Sequence, residues 1–104
     1  MTSDRLKQLQ EFYDEDPVDP FNLYALALEY LKHEPRMSGK LFQDLLDLHP
    51  EYLPTYYQAA KLYAELGENE KAISVFESGI ALATKLDDTK ARRELKSAYD
   101  ELMF

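Results

Sequence analysis

Residues 54–81 read Pro-Thr-Tyr-Tyr-Gln-Ala-Ala-Lys-Leu-Tyr-Ala-Glu-Leu-Gly-Glu-Asn-Glu-Lys-Ala-Ile-Ser-Val-Phe-Glu-Ser-Gly-Ile-Ala, and their spacing decides the fold. Tyr56, Ala59, Ala60 and Tyr63 recur at the period of a helix, Pro54 suits its first turn, and Leu66-Gly67 suits its end. A second helix follows over about residues 69–84, with Ala72, Ile73, Phe76 and Ile80 on one face. The stretch therefore reads as helix, turn, helix.

The same reading extends outward in both directions. Toward the N-terminus, Asp19-Pro20 offers a cap and a first-turn proline for a helix running to about Lys32, with Leu23, Leu26, Ala27 and Tyr30 at helical spacing. After Pro35, Phe42, Leu45, Leu46 and Leu48 carry a helix to His49, where Pro50 stops it. Before Pro17, Leu6, Leu9, Phe12 and Tyr13 define a face over residues 3–15, with Ser3 as its cap. Toward the C-terminus, Ala91, Leu95, Ala98, Tyr99 and Leu102 continue the period from Asp88, and Asp87 and Asp88 suit a positive helix start. The expectation is six helices. Composition agrees: 17 Leu and 10 Ala stand against two Val and two Ile, which disfavours strands.

Shifting the chain on itself reveals a repeat. Leu23, Leu26, Ala27 and Tyr30 lie 33 residues before Tyr56, Ala59, Ala60 and Tyr63, while Ser38 and Phe42 lie 34 before Ala72 and Phe76. The one-residue difference falls in the turn at His33-Glu34-Pro35. Small residues at Ala60 and Ala72 let two helices approach, and Tyr56, Tyr63 and Phe76 fill the space around that contact. In these residues the chain resembles the tetratricopeptide repeat family, a 34-residue helix-turn-helix unit. Departures are Leu23 for the first aromatic, Ser38 for Ala, and Thr84 for the closing Pro of the second unit.

The resemblance implies an all-α right-handed stack of antiparallel helix pairs, a short α-solenoid forming a single domain over residues 1–104. Within it, residues 1–17 are an N-terminal half-unit helix, 19–52 the first repeat, 53–86 the second, and 87–104 a C-terminal capping helix. It also implies a concave surface lined by the first helix of each pair. By register, Phe21, Tyr24, Leu28 and Leu31 in the first repeat and Tyr57, Lys61 and Ala64 in the second would meet a partner there. Tyr24, Leu28 and Leu31 form a second apolar stripe on a helix that already buries another. Members that clamp a C-terminal carboxylate use Lys, Asn and Arg at such places. Tyr24, Leu28 and Gln58 stand there instead, so that activity is not carried over.

Composition excludes much else. The 104 residues hold 12 Lys and Arg against 20 Asp and Glu, a net charge of −8, with no Cys. Disulfides, Cys-ligated zinc, iron-sulfur clusters and thiol nucleophiles are thereby removed. The longest apolar run, residues 23–28, is far short of the roughly 18 needed to cross a membrane. Neither a secretory leader nor a membrane partner is expected, and the expected compartment is the cytoplasm. His33-Glu34 begins a zinc-protease pattern, but Met37 stands where the second His belongs and Pro35 would break the helix. His33 and His49 read as surface or helix-end residues, and Glu29 as an exposed face residue. The five serines lack a nucleophile elbow, and Gly39, Gly67 and Gly79 form no phosphate loop.

Neither catalytic residues, nor a metal, nor a cofactor is expected. Residues 1–84 carry seven cations and 15 anions, whereas residues 85–104 carry five of each. Lys85, Lys90, Arg92, Arg93 and Lys96 are interrupted by Asp87, Asp88 and Glu94 and have no interleaved aromatic. They read as a solvated helix face rather than a nucleic-acid site. The expected function is a non-enzymatic module holding a peptide or protein segment. Behind it stands self-assembly, for example as a homodimer, through the same apolar surface and the Leu102-Met103-Phe104 tail. A small helical enzyme and a nucleic-acid-binding regulator come last.

Overall fold

A computed structural model describes residues 4–104. These residues form six helices, α1 (Asp4–Glu15), α2 (Pro20–Tyr30), α3 (Pro35–Leu48), α4 (Pro54–Glu65), α5 (Asn69–Lys85) and α6 (Thr89–Met103), and no strand among the described residues. The expected cap at Ser3 lies outside them. The chain divides into two compact units, one ending at Tyr52 and the other running Leu53–Phe104.

In the first unit α2 is central, packing against both α1 and α3. Pro20 and Pro35 each occupy the first turn of a helix, where their missing N–H costs nothing. Asp19 caps α2 by accepting from the Phe21 N–H at 2.9 Å. Leu6, Leu9 and Leu26 form a cluster closed by Tyr13, Ala25, Tyr30 and Leu41. On the other side of α2, Leu23, Ala27, Phe42, Leu45 and Ser38 are buried. The Ser38 hydroxyl donates to the Ala27 carbonyl at 2.6 Å. α2 stops at Tyr30 instead of reaching Lys32: the Leu31 N–H turns to the Leu28 carbonyl at 3.2 Å and the Lys32 N–H to the Glu29 carbonyl at 3.1 Å, and the last turn tightens.

Two residues assigned to the apolar faces of this unit are exposed: Phe12 at 53% and Leu48 at 67%. Each lies three residues after a buried leucine, Leu9 or Leu45, in the last turn of its helix, where an offset of about 60° from the buried row carries it off the packed face. Glu29 reverses the opposite expectation. Its side chain retains only 10% of its exposure, with Lys32 Nζ at 3.5 Å and His33 Nε2 at 3.2 Å beside its carboxylate.

In the second unit α5 packs against α4 and α6. Tyr56, Ala59, Ala60, Leu62 and Tyr63 of α4, Ala72, Val75, Phe76, Gly79 and Ala83 of α5, and Leu95 of α6 are buried. Both interhelical turns end the preceding helix by one device. The Gly67 N–H donates to Ala64 and the Glu68 N–H to Tyr63; one turn on, Asp87 donates to Thr84 and Asp88 to Ala83. This double bond pattern needs a left-handed residue, supplied by Gly67 at φ 83° and by Asp87 at φ 58°. Asp88 then caps α6, accepting from the Ala91 N–H at 3.0 Å.

Candidate functional site

On the α2 side, Phe21 is exposed at 58%, while Tyr24, Leu28 and Leu31 are half-buried. Tyr24 is less free than its register implies. Its ring meets Tyr52 edge-on at 5.6 Å between centroids and lies tilted against Phe42 at 6.3 Å, an aromatic group held within the first unit. Burial pushes the Tyr52 hydroxyl pKa up, with the Asp19 carboxylate adding to the effect. Tyr24 therefore presents a braced edge rather than a mobile side chain.

On the α4 side, Lys61 is exposed and Tyr57 and Ala64 are half-buried. Tyr57 forms one wall of a cavity of about 360 Å³ whose other wall is Arg93, Glu94, Ser97, Ala98 and Glu101 of α6. The core places it there: Tyr56 turns inward against Gly79, so the next side chain faces the space beside α6. A phenol ring and an alanine methyl give this groove an apolar floor, while a guanidinium, a hydroxyl and two carboxylates rim it with both charge signs. Such a lining suits a peptide, whose backbone needs donors and acceptors and whose side chains need an apolar contact.

A neighbouring groove of about 450 Å³ lies along α6 and is lined by Thr89, Arg92, Arg93, Lys96, Ser97 and Asp100. Lys96 Nζ is 3.1 Å from Asp100 Oδ1. Tyr99 donates from its hydroxyl to Glu77 Oε2 at 3.2 Å, and that bond, more than burial, raises its pKa. Its ring stands edge-on to Phe76, fixing α6 to α5. Reading the sequence missed the α6 wall of the Tyr57 groove. One further step of the repeat would have found it, since Tyr56, Ala60 and Tyr63 lie 35 residues before Ala91, Leu95 and Ala98.

Of the two histidines, His33 serves Glu29, and His49 Nδ1 lies 3.8 Å from Glu51 Oε1. No group of three or more His, Cys, Asp or Glu side chains is arranged for a metal among the described residues. No helix among them is long and apolar enough to cross a membrane.

No protein-family model matches the sequence, and no curated protein matches it. Solved structures do. The crystal structure of a tetratricopeptide repeat domain protein from Salinibacter ruber is 37% identical, with a TM-score of 0.77, covering 82% of this chain and 96% of that one. A solution structure of a tetratricopeptide repeat domain protein from Salinibacter ruber is 39% identical, with a TM-score of 0.79, covering 84% and 89%. MamA matches at a TM-score of 0.66 over 94% of this chain and 64% of its own, but at 19% identity that likeness concerns the fold alone. The two aligned copies in the sequence, the paired helices with small residues at their contacts, and the Salinibacter ruber structures agree: the chain belongs to the tetratricopeptide repeat family.

Proposed function

We propose that this chain is a non-enzymatic protein-binding module that holds a segment of another protein on the exposed sides of the first helices of its repeats. Family membership supports a protein-interaction role in general, and the observation that carries the finer reading is the groove between Tyr57 and α6. Tyr57 is its α4 contribution; by register Lys61 and Ala64 share that side of α4, and Phe21, Tyr24, Leu28 and Leu31 form the corresponding face of α2. The repeats are taken as residues 19–52 and 53–86, flanked by 1–17 and 87–104, in one domain that works in the cytoplasm without a membrane or nucleic-acid partner.

Tyr57→Ala tests this reading, because it removes the ring from the groove while leaving Tyr56 and Tyr63 in the core. Affinity capture from native extract with the parent chain should retain a partner that the variant loses, at unchanged helical circular dichroism. A folded variant that captures the same partner equally well places the binding surface elsewhere.

A second reading is a symmetric homodimer through the apolar surface. Met103 at 45% exposure and the fully exposed Phe104, beside half-buried Leu102, favour it. Light scattering distinguishes the two, since a dimer has twice the monomer mass without any added partner.

A further inference from the structure

Charge on this chain is segregated by segment. Residues 11–19 contain Glu11, Asp14, Glu15, Asp16 and Asp19 and no cation, and all five carboxylates are exposed. They sit at the C-terminal end of α1 and in the turn that follows, where the helix dipole is negative and no basic residue offsets it. Asp14 accepts from the Gln10 amide and Asp19 caps α2. None of the five makes an ion pair with a described residue. Exposed Phe12 and Val18 stand among them.

The first turns of α6 present the opposite surface. Arg92 and Arg93 are exposed and have no ion pair among the described residues. With the hydroxyls of Thr89 and Ser97 and with Lys96, which pairs with Asp100 in the same lining, they line the 450 Å³ groove, near the positive end of a helix. Free guanidinium forks match carboxylates in a two-bond geometry and accept an aromatic ring on their flat face.

We infer that residues 11–19 of one copy dock on the Arg92, Arg93 and Lys96 face of α6 in a second copy, joining copies head to tail. Acidic and basic patches complement each other but not themselves, so each contact joins unlike surfaces, and in the inferred head-to-tail arrangement it is heterologous. A head-to-tail pair retains one unused patch of each kind, acidic on one copy and basic on the other, and the association continues beyond two. The net charge of −8 repels copies at long range, but at about 0.15 M salt repulsion beyond roughly 8 Å is screened while close pairs persist. The contact is separate from the symmetric dimer considered above. It meets the partner groove at Arg93 and Ser97 and does not require Tyr57.

Sedimentation velocity of the full chain at about 0.15 M salt, at concentrations up to about 1 mM, reads this directly. The weight-average mass should climb past that of a dimer and return to the monomer value near 1 M salt. Arg92→Gln with Arg93→Gln should stay monomeric, as should Asp14→Asn with Glu15→Gln and Asp16→Asn. An equimolar mixture of these two variants, each keeping one intact patch, should form dimers and stop there. Tyr57→Ala should associate like the parent even if it loses its protein partner, which separates this contact from the binding reading. A parent that stays monomeric throughout overturns the proposal. So does a parent mass that stops at twice the monomer, association that persists in either neutralised variant, or a mixture that stays monomeric.

Discussion

Thr55 is fully buried at the start of α4, and its hydroxyl finds no hydrogen-bond partner among the described residues. A buried hydroxyl left unpaired costs about 1 to 3 kcal/mol relative to a satisfied one, whereas a methyl of similar shape incurs no such cost. Thr55→Val should therefore keep or raise stability, by up to about 1 kcal/mol, where most changes at fully buried positions lower it. A clear drop in the urea midpoint would show that the hydroxyl is satisfied in solution. Glu29 is the contrasting residue, a covered carboxylate with partners. The His33 hydrogen bond holds its pKa below the ordinary value of 4.5 against the opposing effect of burial, and Lys32 assists. Because the folded pKa is depressed, its stabilisation is present above the unfolded pKa and disappears as pH falls through the lower folded one. Glu29→Gln should lose that part of the acid dependence: between about pH 3 and pH 5 its unfolding midpoint should fall less steeply than the parent's. Parallel curves would mean the carboxylate titrates alike in both states.

At the scale of helices, the second unit depends on how closely its backbones approach. A Cβ built at Gly79 of α5 would lie 2.7 Å from Tyr56 Cβ of α4 and 3.3 Å from a methyl carbon of Leu95 in α6. Tyr56 Cβ is tied to its own backbone and cannot swing aside, so Gly79→Ala must push α4 and α5 apart. The change should cost about 1 to 3 kcal/mol despite the better helix propensity of Ala, read as a lower thermal midpoint; an unchanged midpoint would show that the helices adjust freely. The helices themselves were legible because each of α2, α3 and α4 begins with a proline at its first turn and buries residues at one period. What was not legible is cross-chain chemistry. The Ser38 hydroxyl ties α3 to α2 through the Ala27 carbonyl, and no periodicity encodes a bond across 11 residues.

Across the whole chain, the repeat made the candidate site half visible. Tyr57 followed from its position next to a core tyrosine, but Arg93, Ser97 and Ala98 sit in a segment whose mixed charges resemble any solvated helix face. Tyr24 lies on α2, while its contact with Tyr52 is hidden from the sequence because Tyr52 lies between helices, beyond the reach of periodicity. The pairing of Glu29 with Lys32 and His33 depends on how the last turn folds, which its position on the helix does not encode. The two helix-ending turns of the second unit differ in one respect that bears on the protein's history. Where Gly67 adopts its left-handed backbone freely, Asp87 does so with a side chain attached, at a cost that glycine would remove. Asp87→Gly should raise the thermal midpoint by an amount corresponding to about 0.5 to 1 kcal/mol, and no gain would mean the aspartate compensates locally. Aspartate codons become glycine codons through a single-base change, so mutation alone can reach that gain in one step, and the lineage has an unused margin with which to tolerate later, destabilising changes in its binding residues.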